Sequence, residues 1–336
     1  MIDRRWSAVI ILYVGCIAAA LTCGCAGGAG TATPLPPEDT AALRTRALDL
    51  LLRAATTGSA ETRCNAMEAL ARVAPRAGAE AIRQNLRHDA PIVRYAACVA
   101  IGDARIVAAL DDVLRLLRDR EPRVVLGAAF AAYRCGEARQ AEVLVRTLAQ
   151  GADEGLRADA ALLIGRLGEK SAVRRLRFTV ATDRATRVII TAYGALAALG
   201  ESDAVDRLIE YAQGAAETRV LALLTLADSP AERARDTLLY RLRQRSEYIQ
   251  ARLLAARALG RLGSKEGLSL ALQAATQTGR DEIETYYIRS LAAHALGAIG
   301  DTRALGTLRN LAAIPDDGVQ VAACYAILQI VPPTQN

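Results

Sequence analysis

The residues of this sequence whose types and spacing could do chemistry are arginines that recur at a nearly constant interval. Arg115, Arg146 and Arg177 are separated by 31 and 31 residues. Arg241 follows Arg177 by 64 residues, which is two further steps. Including one neighbouring arginine and a late one, the candidates for a single binding groove are Arg115, Arg146, Arg174, Arg177, Arg241 and Arg309. Such a row of guanidinium groups suits carboxylates, phosphates or an acidic protein segment.

The alternative interpretation of this row is a solvated face in an arginine-rich sequence. Lys170 and Lys265 are the only lysines among the 42 basic residues, so arginine dominates the whole chain. The basic residues are interleaved with 36 acidic residues, and no aromatic stacking platform accompanies them. We therefore expect no nucleic-acid partner, although the net charge is +6.

A second candidate binding edge lies where the regular spacing of the chain is interrupted. About five extra residues occur in or beside the stretch from Gly279 to Thr285, which is followed by Tyr286 and Tyr287. The stretch combines three acids with aromatic surface, and insertions in repeated structures often mark a binding edge. The alternative is a longer loop without a binding role.

Catalytic and metal-binding patterns are absent from the sequence. The chain has two histidines, His88 and His294, and they stand in different repeats. No HExxH motif, glycine-rich phosphate loop or nucleophile elbow occurs. The sequence therefore predicts no catalytic residue, no metal and no cofactor.

Four cysteines follow the N-terminal segment: Cys64, Cys98, Cys135 and Cys324. Cys98 and Cys324 occupy the same place in their repeats, among alanines, where a thiol behaves as a small buried hydrophobe. We expect four free buried thiols, with a bridge from Cys64 to Cys98 as the alternative to test.

The elements that must position these residues are short amphipathic helices joined by tight turns. Gly136, Gly168 and Gly200 are 32 residues apart, Gly263 follows 63 residues later, and Gly300 follows after 37. The core residues are small and aliphatic, since 52% of the chain is hydrophobic and only 4% is aromatic. We predict an all-α fold, an α-solenoid superhelix of about eight helical hairpins with helical caps, forming one elongated domain over residues 40–336.

An acidic residue followed by an arginine recurs at the start of these repeats, as in Asp89 with Arg94 and Asp153 with Arg157. We interpret these pairs as a structural ladder that ties neighbouring repeats and helix starts together, rather than as a binding site.

The units VRYAACVAIGD, LRADAALLIGRLGE and IRSLAAHALGAIGD resemble the short HEAT-like repeat of the phycobilin lyase type. The resemblance covers nearly all of residues 59–330. It implies that the second helix of each hairpin lines a concave face and that this face binds another macromolecule. The four-histidine set of deoxyhypusine hydroxylase, a metal-binding HEAT-like enzyme, cannot be supplied by two histidines.

The pattern of the N-terminal residues predicts the cellular compartment of the protein. Residues 1–25 combine two arginines with an uncharged apolar run, and residues 26–39 form a small-residue and proline linker. The segment resembles a bacterial lipoprotein signal, which implies lipidation of Cys25 (or Cys23). An uncleaved anchor over residues 6–32 and ordinary signal cleavage are the alternatives. All three place the repeats outside the cytoplasm, so we expect a periplasmic, membrane-anchored lipoprotein of the cell envelope.

Together these patterns favour a non-enzymatic, monomeric scaffold that holds a protein or peptide partner in its groove. Two alternatives remain open. One is an exported enzyme or chromophore-handling subunit related to the bilin lyases, and the other is a binder of anionic lipid or glycan.

Overall fold

A computed structural model of the protein describes residues 37–333, which form eighteen α-helices and six 3₁₀ turns and contain no β-strand. The helices are α1 (Pro37–Thr57), α2 (Ala60–Val73), α3 (Pro75–Gln84), α4 (Pro91–Ala104), α5 (Leu110–Leu116), α6 (Pro122–Arg134), α7 (Ala141–Gln150), α8 (Glu154–Leu167), α9 (Val173–Thr182), α10 (Thr186–Ala198), α11 (Ser202–Gln213), α12 (Ala216–Asp228), α13 (Arg235–Arg243), α14 (Ile249–Arg261), α15 (Leu268–Thr276), α16 (Glu282–Ile299), α17 (Leu305–Leu311) and α18 (Asp317–Ile330). The 3₁₀ turns are Asn85–Arg87, Val107–Ala109, Ala138–Gln140, Lys170–Ala172, Glu232–Ala234 and Thr302–Ala304.

Helices α2 to α17 pair into eight hairpins, each with a first helix (even numbers α2 to α16) and a second helix (odd numbers α3 to α17). This confirms the predicted fold class, an all-α solenoid of HEAT-like hairpins. Among the helices between residues 37 and 333, none combines the length and the apolar character that a membrane span needs.

The described residues fall into two compact units. The central unit comprises residues 51–237, and the terminal unit comprises residues 37–50 with residues 238–333. The sequence had suggested one elongated domain. In the terminal unit the guanidinium of Arg44 on α1 donates to the backbone carbonyl of Val331, directly after α18. The helices expected to cap the chain's two ends are therefore bonded to each other.

First helices form the core of each unit, where they pack against the first helices of neighbouring repeats. In α4 every residue is buried except Pro91, Arg94, Asp103 and Ala104. Glycines permit the closest approaches: a Cβ on Gly165 would lie 2.8 Å from the Cα of Ala195. Second helices are more exposed. In α5, for example, only Val113 is buried, so the second helices carry most of the accessible polar surface.

The turns within the hairpins have the geometry that their glycines predict. Gly136, Gly168, Gly200, Gly263 and Gly300 all have positive φ, between 71° and 120°. This left-handed conformation is open to glycine and strained for other residues. The second repeat differs, because Arg105 takes the left-handed conformation there with φ of 51°.

A recurring arginine bonds the backbone at the start of several repeats. Eleven residues before the turn, the guanidinium of this arginine bonds the backbone that precedes its own helix: Arg63 to Gly58, Arg94 to Asp89, Arg157 to Gly151 and Arg219 to Gly214. Two of these arginines also bind an aspartate of the next repeat, as Arg94 Nε donates to Asp119 at 2.8 Å. The arginines do tie neighbouring repeats, but the carboxylate comes from the following repeat instead of the preceding residues.

Candidate functional site

The predicted arginine row can be tested against the helix positions of its members. Each second helix buries an anchor side chain completely, eight residues after the turn residue: Leu144 follows Gly136, and Leu176 follows Gly168. Arg146 lies two residues after its anchor, but Arg177 lies one residue after its anchor. Consecutive helix residues point about 100° apart, so these two side chains leave their helices in different directions.

Two other candidates, Arg115 and Arg309, divide in the same way. Arg115 matches Arg146, because it lies two residues after the anchor Val113. Arg309 matches Arg177, because it lies one residue after the anchor Leu308. The structure therefore brings the arginines to several positions on the second helices, whereas the sequence interval had suggested one.

Two of the exposed candidates, Arg177 and Arg115, already hold carboxylates. Arg177 Nη1 lies 2.8 Å from Asp203, and the same guanidinium also bonds Glu201. These carboxylates raise the pKa of Arg177 above its usual value. Arg115 is 71% exposed but bonds Asp112 of its own helix at 2.9 Å. A partner's acidic group would have to displace these carboxylates.

Arg241 has a structural role. It is buried, its Nη1 lies 3.0 Å from Glu247, and its guanidinium carbon lies 5.2 Å from the ring centroid of Tyr240. Both side chains of the ion pair are at most 10% exposed. A buried pair of this kind is costly to break, so we leave Arg241 out of the proposed surface.

Arg146 and Arg174 are the candidates that lie exposed without an ion pair in the central unit. Next to Arg174, the structure adds two residues that the sequence interval missed. Phe178 is 59% exposed on α9, and the Arg175 guanidinium carbon lies 5.9 Å from its ring centroid. The signal for both was present in the run VRRLRF, where an aromatic residue follows three arginines.

These four side chains form what we call the α7–α9 surface: Arg146, Arg174, Arg175 and Phe178. Arg174 and Phe178 are four residues apart and so share one face of α9. Arg146 and Phe178 each lie two residues after a buried anchor, on second helices that contact each other. In the terminal unit Arg309 is exposed and also makes no ion pair with any described residue.

The irregular segment lengthens a helix rather than a loop. Asp281 caps α16 by accepting from the backbone N–H of Glu284 at 2.7 Å, and the helix then runs for 18 residues, against 14 in α4. Tyr286 and Tyr287 lie in its first turns and are half-buried. The Tyr286 hydroxyl donates to Glu282 at 2.7 Å. The nearby Ile283 is 79% exposed, so this edge presents apolar surface beside acids.

The cysteines of the repeats are inaccessible from solvent. Cys64, Cys98, Cys135 and Cys324 are all free and buried. Burial raises the pKa of Cys64 and of Cys324 to about 12 and raises those of the other two thiols. Residues 37–333 contain no cluster of three or more His, Cys, Asp or Glu side chains that could hold a metal ion. The predicted lipidation sites, Cys25 and Cys23, lie outside the described residues.

Comparison with known proteins gives the following similarities. A family model described as HEAT repeats matches residues 79–163. No curated protein matches the chain significantly. Human deoxyhypusine hydroxylase in complex with glycerol is 17% identical, with a TM-score of 0.36, over 88% of this chain and 99% of that chain.

Two further solved structures are similar. The complex of CpcE and CpcF of phycocyanin lyase from Nostoc sp. PCC7120 is 17% identical, with a TM-score of 0.44, over 72% of this chain and 93% of that chain. Kap121p bound to Nup53p is 12% identical, with a TM-score of 0.36, over 83% of this chain and 37% of that chain. At these identities the likeness concerns the fold alone. The family model thus matches residues 79–163, and the hairpins before and after that segment repeat the same two-helix pattern.

Proposed function

We propose that this protein is a non-enzymatic scaffold that binds an acidic segment of a protein partner on the α7–α9 surface. The observation that carries the proposal is the set of three exposed arginines on that surface, Arg146, Arg174 and Arg175, none of which has a carboxylate partner in the described part of the chain. Two other exposed arginines of the central unit, Arg177 and Arg233, are held by acids of the next repeat or the preceding one.

Phe178 adds exposed apolar area to the three arginines of the α7–α9 surface. An exposed ring offers apolar area to a partner, and the stacked Arg175 keeps its guanidinium near that ring. Aromatic and arginine side chains dominate the binding energy of many protein interfaces, while charge complementarity speeds encounter and selects partners. The fitting partner segment therefore carries several Asp or Glu residues and one apolar or aromatic residue to pack on Phe178.

We place this scaffold at the cell envelope. The support is the signal-like pattern of residues 1–25, with Cys25 (or Cys23) as the lipidated residue and the linker of residues 26–39 as the tether. Metabolic labelling with a fatty-acid analogue tests this part separately, since Cys25→Ala together with Cys23→Ala should abolish the label.

The binding surface is tested by crosslinking the tagged protein in its native cells, purifying it under denaturing conditions and identifying the attached peptides by mass spectrometry. We expect one dominant protein, crosslinked to α7 and α9 through an acidic segment. Crosslinks that map to other helices would refute the surface assignment.

A matched pair of variants sharpens this experiment. Arg146→Glu with Arg174→Glu reverses two charges on the surface and should abolish partner capture without lowering thermal stability, because neither side chain makes an ion pair within residues 37–333. The control is Arg76→Glu with Arg120→Glu, which reverses two exposed charges elsewhere and should retain capture. Equal capture by both double variants would contradict the proposal.

A further inference from the structure

One carboxylate of the central unit is shared by three arginines from two neighbouring repeats. Asp112, on α5, accepts through Oδ2 from Arg83 Nε of α3 at 2.8 Å. Its other oxygen, Oδ1, accepts from Arg87 Nη2 at 3.2 Å and from Arg115 Nη1 at 2.9 Å. Between residues 37 and 333, none of the three arginines bonds a second acidic side chain. A single carboxylate therefore serves three guanidinium groups and can neutralise only one of them.

Arg83 is the main partner of this carboxylate. The hydrogen bond from Arg83 lowers the pKa of Asp112 below its ordinary value, and the same bond raises the pKa of Arg83. Glu80, three residues earlier on α3, also raises the pKa of Arg83 through its negative charge. Arg83 is thus compensated by two acids. Arg87 and Arg115 share one oxygen of a carboxylate that is already paired.

Arg87 and Arg115 are exposed, yet they are held beside each other. Their side chains are 75% and 71% exposed, whereas that of Asp112 is 10% exposed. The two bonding nitrogens lie within 3.2 Å of the same oxygen atom. Each guanidinium has five N–H donors, and within the described residues Asp112 accepts one bond from each. The other donors remain available, so a second anion could bind this pair without displacing Asp112.

We propose that Arg87 and Arg115 form a binding site for a dianionic phosphate group. A phosphate monoester carries a charge of about −1.5 to −2 near pH 7, which fits the two arginines that Asp112 leaves uncompensated. Its oxygens can accept paired N–H donors from both planar guanidinium groups. Because Asp112 already fixes one edge of each guanidinium, less side-chain freedom is lost when the anion binds.

Small soluble phosphates and phosphatidic acid, a lipid whose head group is a phosphate monoester, share this chemistry. The site lies on α5 and on the 3₁₀ turn after α3, in the first two repeats. It has no residue in common with the α7–α9 surface, so it does not depend on the function proposed above.

The test is isothermal titration of the full chain with inorganic phosphate at pH 7, against a constant background of sodium chloride. If the ligand is a soluble phosphate, Arg87→Ala with Arg115→Ala should weaken phosphate binding at least about tenfold. The variant keeps Arg83 to pair with Asp112 and loses only exposed ion pairs, so its Tm in chloride should stay close to that of the wild type.

The matched control is Arg207→Ala with Arg233→Ala. These two arginines of the central unit are also exposed, and each is bonded to an exposed carboxylate, Glu210 and Asp206 respectively. The control therefore removes the same number of charges and of exposed ion pairs. It should bind phosphate as the wild type does, and a loss equal to that of Arg87→Ala with Arg115→Ala would overturn the proposal.

Vesicles separate the two sources of the phosphate group. Flotation of the full chain with phosphatidic acid vesicles is compared with flotation with phosphatidylcholine vesicles. If the ligand is the lipid, the wild type should prefer phosphatidic acid, and Arg87→Ala with Arg115→Ala should lose that preference. Binding of inorganic phosphate without this preference would identify a soluble phosphate instead. Absence of both in the wild type would overturn the proposal, and so would equal responses of this double variant and the wild type in both assays.

Discussion

Arg157 Nε lies 2.7 Å from Asp183 Oδ2, and the Nη1 of the same arginine donates to the carbonyl of Gly151 at 3.1 Å. One guanidinium therefore holds the backbone that precedes its own repeat and the loop that opens the next one. The Asp183 side chain is 9% exposed and the Arg157 side chain 22% exposed, so water competes weakly for these bonds. The register between neighbouring repeats depends on such contacts as well as on apolar packing.

We predict that Asp183→Asn lowers the free energy of unfolding by about 1–3 kcal/mol, since it weakens the partner of a partly buried charge. Urea denaturation at pH 7 measures the loss. The control is Asp206→Asn, because Asp206 pairs with Arg233 in a contact exposed on both sides and should cost about 1 kcal/mol or less.

The same pair predicts a pH dependence. The hydrogen bond from Arg157 lowers the pKa of Asp183 below its ordinary value of 3.8, even though burial opposes that shift. When the pKa of a carboxyl is lower in the folded state than in the unfolded state, the carboxylate stabilises the fold at pH values above its unfolded pKa. This stabilisation is lost as the pH falls through the folded pKa. The stability difference between wild type and Asp183→Asn should therefore shrink below about pH 4. A difference that stays constant down to pH 3 would contradict this account.

The repeats could be predicted from the sequence because each depends on local signals. A glycine in the left-handed turn and an apolar stripe at helical spacing are readable in a single repeat, and Gly168 with Leu176 shows both. The turn at Arg105 lacked the glycine signal. Its position was still implied by the repeat, since Arg105 precedes Gly136 by 31 residues and follows Arg94 by 11.

The candidate site was harder to predict, because a difference of one residue in sequence spacing turns a side chain by about 100° around the helix axis. The step from Leu144 to Leu176 is 32 residues, while the step from Arg146 to Arg177 is 31. That single residue rotates Arg177 by about 100° relative to Arg146 and places Phe178 at the matching position. The partner of an arginine is also invisible in the sequence, because Asp203 and Glu247 are brought to Arg177 and Arg241 by packing.

Two glycines of the terminal unit should respond oppositely to the same substitution. A Cβ on Gly260 would lie 2.7 Å from the backbone nitrogen of Ile299, where nothing flexible can yield. We expect Gly260→Ala to destabilise the protein by about 1–3 kcal/mol through overpacking of α14 against α16. Gly306→Ala, in α17, meets no atom within 4 Å and should instead stabilise the protein by about 0.5–1 kcal/mol. Chemical denaturation of both variants measures the contrast, and a loss at Gly306 as large as that at Gly260 would be inconsistent with it.

The ion pair of Arg241 with Glu247 allows a test of its structural role. Glu247→Gln leaves a buried guanidinium without its charge partner and should cost about 3–5 kcal/mol. Replacing both residues, as Arg241→Met with Glu247→Leu, removes both charges and should recover most of that loss. Denaturation curves of the single and double variants form the comparison. If the double variant is no more stable than Glu247→Gln, the cost does not arise from an unpaired buried charge.

The buried thiols test the alternative in which the chain is an enzyme related to the bilin lyases, since that chemistry needs an exposed reactive group. Burial raises the pKa of Cys64 to about 12, and the thiolate is the reactive form of cysteine. We expect iodoacetamide at pH 8 to label the four thiols of the repeats roughly 10²–10³-fold more slowly in the folded protein than in urea. Cys135, which is 9% exposed, should react first among them. Peptide mapping by mass spectrometry assigns each rate, with Cys23 and Cys25 followed separately. One thiol of the four that labels in the folded protein as fast as in urea would favour the enzyme over the scaffold.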